Sequence, residues 1–93
     1  MFEWDEAKNR ANRRKHRISF ESIVPCFSGP MLVSVDDRDD YDETRYDAVG
    51  FLHDVPVVII FAERGETIRI ISARKADRHE RQKLKNFIDQ SNR

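Results

Sequence analysis

Val55 to Ala62 (Val-Pro-Val-Val-Ile-Ile-Phe-Ala) is the most apolar run in the chain, which predicts a central strand buried on both faces of a sheet. Pro56 falls at its beginning, where a missing backbone donor costs least. His53-Asp54 forms a tight turn from a preceding strand, Arg45 to Leu52, in which Gly50 suits a bulge. Arg64-Gly65-Glu66 turns the chain into a third strand, Thr67 to Ala73. Three strands joined by two short connections predict an antiparallel meander. Met31 to Val35 supplies one more strand, followed by the acidic, turn-rich stretch Asp36 to Asp42.

Helical signals flank this block. Asp5 caps a helix from about Glu6 to His16 that follows a short strand, Phe2 to Trp4. Its apolar stripe is only Ala7 and Ala11, so it is expected to lie on the surface. Ser19 starts a second helix, with Phe20, Ile23, Val24 and Phe27 at helical spacing and Ile18 stapled to Ile23. Pro25 shortens or kinks it, and Ser28-Gly29-Pro30 ends it. Asp77 and Glu80 form a capping box for a last helix whose core stripe is Leu84, Phe87 and Ile88. The expected fold is α+β: an antiparallel sheet of about four strands packed on two N-terminal helices and one C-terminal helix.

At 93 residues, 39% of them hydrophobic, the chain is expected to form one domain spanning 1–93. A single cysteine, Cys26, precludes an internal disulfide, and no apolar run is long enough for a membrane helix. The first residues carry acids where a signal peptide is basic, so a cytoplasmic protein is expected. The formal net charge is zero, yet 37% of residues are charged and the signs are segregated. Residues 7–17 hold Lys8, Arg10, Arg13, Arg14, Lys15 and Arg17 without one acid, whereas residues 36–47 are strongly acidic. Local fields decide which ligand each face attracts.

The stretch Thr67 to Arg81 carries Arg69 and Arg74 on a strand and Arg78, His79 and Arg81 on the helix after it. Permanent cations on rigid elements suit a phosphate-rich ligand and point toward RNA. Arg69 and Arg74 have opposite strand parity, so they share a face only if a bulge or strand end re-aims one of them. No metal or cofactor is expected. His16, Cys26, His53 and His79 lack zinc-ligand spacing, and the acidic run lacks the glycine and terminal glutamate of a calcium hand. The chain has neither a phosphate-cradling glycine loop nor a Gly-x-Ser-x-Gly elbow.

Phe2-Glu3-Trp4-Asp5, Lys15-His16, Ile18-Ser19-Phe20, Glu43-x-Arg45 and Ser72-Ala73-Arg74-Lys75-Ala76 with Glu80-Arg81 follow one another in an order that resembles the BrnT family of bacterial toxins. The resemblance covers almost the whole chain. One departure is Arg17, where the family usually carries a helix-capping glycine; Arg17 must either adopt that turn at a cost or end the helix differently. The resemblance implies a RelE-like fold and an endoribonuclease that cleaves cellular RNA and suppresses growth. It also implies a neutralising BrnA-like antitoxin, through which alone operator DNA is bound. Homo-oligomers and toxin–antitoxin hetero-oligomers both stay open.

Cleavage by the RNA's own 2′-hydroxyl needs no metal; it needs orientation, proton transfer and charge stabilisation at the phosphoryl oxygens. Arg45 and Arg74 are expected to grip the scissile phosphate, with Lys75 and Arg69 adding positive charge. His16, at a helix C-terminus where the dipole favours positive charge, is the proton-transfer candidate, ahead of His53 and His79. Glu43 and Glu63 are alternative bases. Lys8, Arg13 and Lys15 of the basic helix are expected to track the RNA backbone, or alternatively to dock an acidic surface of an antitoxin or form an ordinary solvated helix face. Trp4 and Phe2 suit core anchoring better than base stacking. Two rival readings use the same cations without catalysis: an RNA-binding or ribosome-associated module, and a charge-matched protein-interaction domain.

Overall fold

In the computed structural model, which describes residues 1–36 and 43–91, the apolar run is the middle of a five-stranded sheet. The elements are β1 (Phe2–Glu3), α1 (Glu6–His16), α2 (Phe20–Ile23), a 3₁₀ turn (Val24–Ser28), β2 (Leu32–Asp36), β3 (Arg45–Leu52), β4 (Val55–Arg64), β5 (Thr67–Lys75) and α3 (Arg78–Ser91). The strand order is β1-β5-β4-β3-β2. β2 to β5 pair antiparallel, as the meander requires. The fold is α+β, and the short first strand makes the sheet mixed by pairing parallel to β5, with Ile68 N donating to Met1 O at 2.8 Å. Part of the acidic stretch, residues 37–42, lies outside the described residues. None of the described helices is long and apolar enough to cross a membrane.

The β3–β4 connection has only two residues, and Leu52 pairs directly with Val55. His53 and Asp54 both take positive φ, 48° and 70°, the twist that a two-residue hairpin favours. Pro25 acts as expected: α2 stops after one turn and the chain continues as 3₁₀. Gly50 sits in unbroken register and makes no bulge. Its missing side chain instead leaves room for Met31, whose Cγ lies 3.0 Å from where a Cβ would be. The bulge falls in β5: Ile60 pairs with Ser72 but Phe61 with Ile70, leaving Ile71 as the extra residue.

Each sheet face has its own core. On one, Phe20, Ile23, Val57, Ile59, Phe61 and Ile70 pack beneath α1, α2 and the 3₁₀ turn. Phe61 meets Phe27 edge-on at 5.1 Å and stacks on Tyr46 at 5.4 Å. Phe2 and Trp4 pack against this core, with Trp4 edge-on to Phe20. On the other face α3 brings Leu84 onto Val49, Val58 and Ala76, with Phe87 and Ile88 flanking. Its capping box is formed as the sequence predicts: Glu80 N donates to Asp77 Oδ1 and Asp77 N to Glu80 Oε1, both at 2.8 Å.

α1 docks in a way that its hydrophobic pattern does not foretell. Ala7 and Ala11 are exposed, and the buried positions are Asn9 and Asn12. Asn12 Nδ2 donates to Ile18 O at 2.9 Å and to Ala73 O at 2.8 Å, while its Oδ1 accepts from Ala73 N at 3.2 Å. Asn9 Oδ1 accepts from Phe20 N at 2.8 Å, and its Nδ2 donates to Glu6 and Glu21. Hydrogen bonds take the place of an apolar stripe. The helix then ends on Arg17 in the left-handed conformation, φ 62° and ψ 27°, with its N–H donating to Arg13 O at 2.9 Å. Arg17 therefore makes the turn that glycine makes without strain.

Two stability measurements follow from this docking. Asn12→Asp keeps the shape and the acceptor for Ala73 N but turns two donated bonds into buried oxygen–oxygen repulsion. It should lower unfolding stability by about 3 kcal/mol in urea titration. Arg17→Gly relieves the left-handed strain and should raise stability by about 0.5–1 kcal/mol in the same titration.

Candidate nucleic-acid interface

The register lays the α3 face of the sheet out in three cross-strand rows. Leu32, Val49, Val58 and Arg74 form the row under α3, and Ser34, Asp47, Ile60 and Ser72 form the next. The third is Asp36, Arg45, Ala62, Arg69 and Glu3. Five positions separate Arg69 from Arg74, so strict alternation places them on opposite faces. The bulge at Ile71 removes that conflict. Arg69 pairs with Ala62 and Arg74 with Val58, four positions apart on β4 and therefore on one face.

Three arginines thus share a surface, in two groups. Arg45 and Arg69 flank the fully buried Ala62 in a single row, two strands or roughly 10 Å apart. Arg74 lies two rows away, about 13 Å along the strands. Arg45 and Arg74 therefore stand at opposite ends of this face rather than side by side. Glu3 lies 3.9 Å from Arg69. Glu43 accepts from Arg64 Nε at 2.8 Å; this hydrogen bond, helped by the charges of Arg64, Arg45 and Arg69, holds its carboxyl below the ordinary range. Such a carboxylate is a poor base. Glu63 is exposed and pairs with Ile68, while the partner of Arg64 is Glu43.

At the other end, the first turn of α3 overhangs the sheet and closes a cleft of about 320 Å³ lined by Asp47, Arg74, His79, Glu80 and Lys83 among others. Arg74 is held by a two-pronged clamp, its Nη1 and Nη2 each donating to one Glu80 oxygen at 2.8 Å. The capping box fixes Glu80 in turn, so helix start, carboxylate and guanidinium form one rigid unit. Asp47 and Lys83 escaped the sequence reading. Asp47 looks like one more acid of the acidic stretch until its register with Ile60 is known, and Lys83 like a solvated helix residue.

The remaining sequence-derived candidates lie across the sheet. Lys75 pairs with Val57, a core residue of the α1 face, and is exposed at the end of β5. His16 is half-buried on the helical stripe that carries Asn9 and Asn12. Lys8, Arg13 and Lys15 are exposed on α1. His53 joins the α1 side through the β3–β4 turn. The sheet therefore separates His16, Lys75 and the basic helix from Arg45, Arg69 and Arg74.

Glu80 titrates at about 2, lowered from 4.5 chiefly by the Arg74 hydrogen bonds, with the Asp77 backbone and the Arg74 charge adding to it. A lowered folded-state value means stability that is complete above the unfolded value and disappears as pH falls through about 2. Glu80→Gln should thus melt below the wild type at neutral pH, and the gap between their Tm values should close as pH falls from 4.5 toward 2. A gap that ignores pH would place its origin elsewhere.

Residues 4–80 match the family described as the ribonuclease toxin, BrnT, of type II toxin–antitoxin systems. No curated protein matches the chain. The match runs from Trp4 to Glu80, so it takes in the docking asparagines, all three arginines of the sheet face and the carboxylate that clamps Arg74. The chain belongs to the BrnT family of ribonuclease toxins of type II toxin–antitoxin systems.

Proposed function

We propose that this chain is a metal-independent endoribonuclease that cleaves RNA through the RNA's own 2′-hydroxyl, with the α3 face of the sheet as its substrate surface. The observation that carries this reading is the β5 bulge, because it gathers Arg45, Arg69 and Arg74 on one face. Fixed guanidinium groups supply positive charge where negative charge grows on the phosphoryl oxygens, which is the largest requirement of this reaction. The cleft under α3 is the reacting end, since it joins Arg74 to groups that can move a proton. His79 is the proton-transfer residue favoured by geometry, because it lines the cleft with Arg74 while His16 lies across the sheet. Asp47 and Lys83 border the same space as a second proton acceptor and a further cation. Arg45 and Arg69 hold the backbone further along. Cleavage of cellular RNA would inhibit growth, a cognate antitoxin would restrain it, and operator DNA would be met only through that antitoxin.

Labelled single-stranded RNA incubated with the protein in EDTA should give fragments ending in 2′,3′-cyclic phosphate. Arg74→Ala should slow this by about 10²–10³-fold and His79→Ala by about 10²-fold. Arg74→Lys, which keeps a cation beside Glu80, controls for folding. Tight, salt-sensitive binding without cleavage would replace the enzyme by an RNA-binding module.

A further inference from the structure

A groove of about 860 Å³ opens on the α1 side, lined by four arginines (Arg10, Arg13, Arg14 and Arg17) together with Ser19, Ser22, Leu52 and His53. None of these lining side chains is acidic. The four arginines occupy positions i, i+3, i+4 and i+7, a single helical face that adjoins the Asn9–Asn12 stripe. Glu21, held by Asn9, lies in the field of Arg13, but among the described residues no carboxylate pairs with Arg10, Arg14 or Arg17.

The arrangement is costly to the free protein. Arg10–Arg14 and Arg13–Arg17 are like-charge pairs one turn apart, and each such pair is unfavourable. The helix C-terminus offsets part of that repulsion, because its dipole favours cations. It does nothing for the left-handed backbone of Arg17, φ 62°. Strained, self-repelling residues that converge on one groove mark a place where a ligand supplies the missing charge. A protein partner would want an apolar anchor at the centre, and among the described residues Leu52 is the only aliphatic side chain lining the groove. Phosphates want planar forks and hydroxyls, which the groove has in number.

We infer that this groove is a second RNA-backbone site, separate from the reacting surface and on the other side of the sheet. It rests on the reading that the protein acts on RNA. It adds that a long strand is held at two places, with Arg10, Arg14 and Arg17 taking phosphates remote from the bond that breaks. His53 lines the same groove. RNA too short to pass round the molecule would use one site at a time.

The test is fluorescence anisotropy with a labelled 2′-O-methyl oligonucleotide, which cannot be cleaved and so reports binding whether or not the chain is a nuclease. The double variant Arg10→Gln/Arg14→Gln should weaken binding about tenfold. It should also reduce the slope of log affinity against log salt by roughly 1.4, about 0.7 for each phosphate that is no longer neutralised. Arg17→Gly should weaken binding while raising thermal stability, a combination that a purely structural role does not produce. Unchanged affinity and slope in both variants, with a wild type that binds, overturn the second site and leave the sheet surface standing. A wild type that cleaves ordinary RNA in EDTA, with variants that keep its full affinity, overturns the second site equally. A wild type that neither binds the oligonucleotide nor cleaves RNA overturns both readings.

Discussion

The side-chain amide of Asn12 bridges the two halves of this molecule. It grips both backbone groups of Ala73, sixty-one positions away, and the carbonyl of Ile18 in the loop between α1 and α2. A helix as polar as α1 has little apolar surface to bury, so area alone cannot hold it to a sheet. Directed hydrogen bonds can, and they also fix rotation and height along the strand, which apolar contact leaves looser. With Asn9 tied to Phe20 N one turn earlier, only one face of α1 can turn inward. That decides where its other residues go: His16 toward the sheet, Arg10, Arg14 and Arg17 into the groove.

Ala73 is also the residue just before Arg74, two positions after the bulge at Ile71. The clamp and the bulge therefore act on the same short length of β5. Asn12 replaces partners that a further strand would give to Ala73, and the bulge re-aims the next cation onto the face of Arg69. An extra residue in a strand leaves a locally weaker ladder. Here that segment is secured from one side by α1 and from the other by the Arg74–Glu80 clamp at the start of α3.

What could be read beforehand was what is encoded locally. The strand block, the two tight connections, the interruption at Pro25 and the Asp77–Glu80 box all depend on residues a few positions apart, and all stand where they were expected. Asn9 and Asn12 could not be recognised as buried, because their partners lie outside the helix. Position 12 is satisfied by residues 18 and 73, and nothing in the helix reveals that. The bulge was foreseen as a condition for Arg69 and Arg74 to share a site, but no glycine marks it, and the glycine that did suggest one, Gly50, serves packing instead. The site was legible as a list of cations and not as an arrangement. Arg45, Arg69 and Arg74 come together; His16 and Lys75 do not join them; Asp47 and Lys83 needed the register and the overhang of α3 to be noticed.

A chain of zero net charge gains nothing from the long-range pull that a basic protein exerts on RNA, so its recognition must be local. The two cationic surfaces carry their local charge differently. On the sheet face Glu80 clamps Arg74, Glu3 lies beside Arg69 and Glu43 feels the charge of Arg45, which leaves a surface of modest field but defined geometry. In the groove, Arg10, Arg14 and Arg17 have no such carboxylates among the described residues, and the field is strong while the side chains are less constrained. Ordered charge suits a reacting phosphate, where misplacement by an ångström is expensive. Unbalanced charge suits a backbone that only has to be held. The separation of the two cationic surfaces to opposite sides of one sheet follows from Asn12, which lets α1 turn its arginines away from the surface that β5 provides.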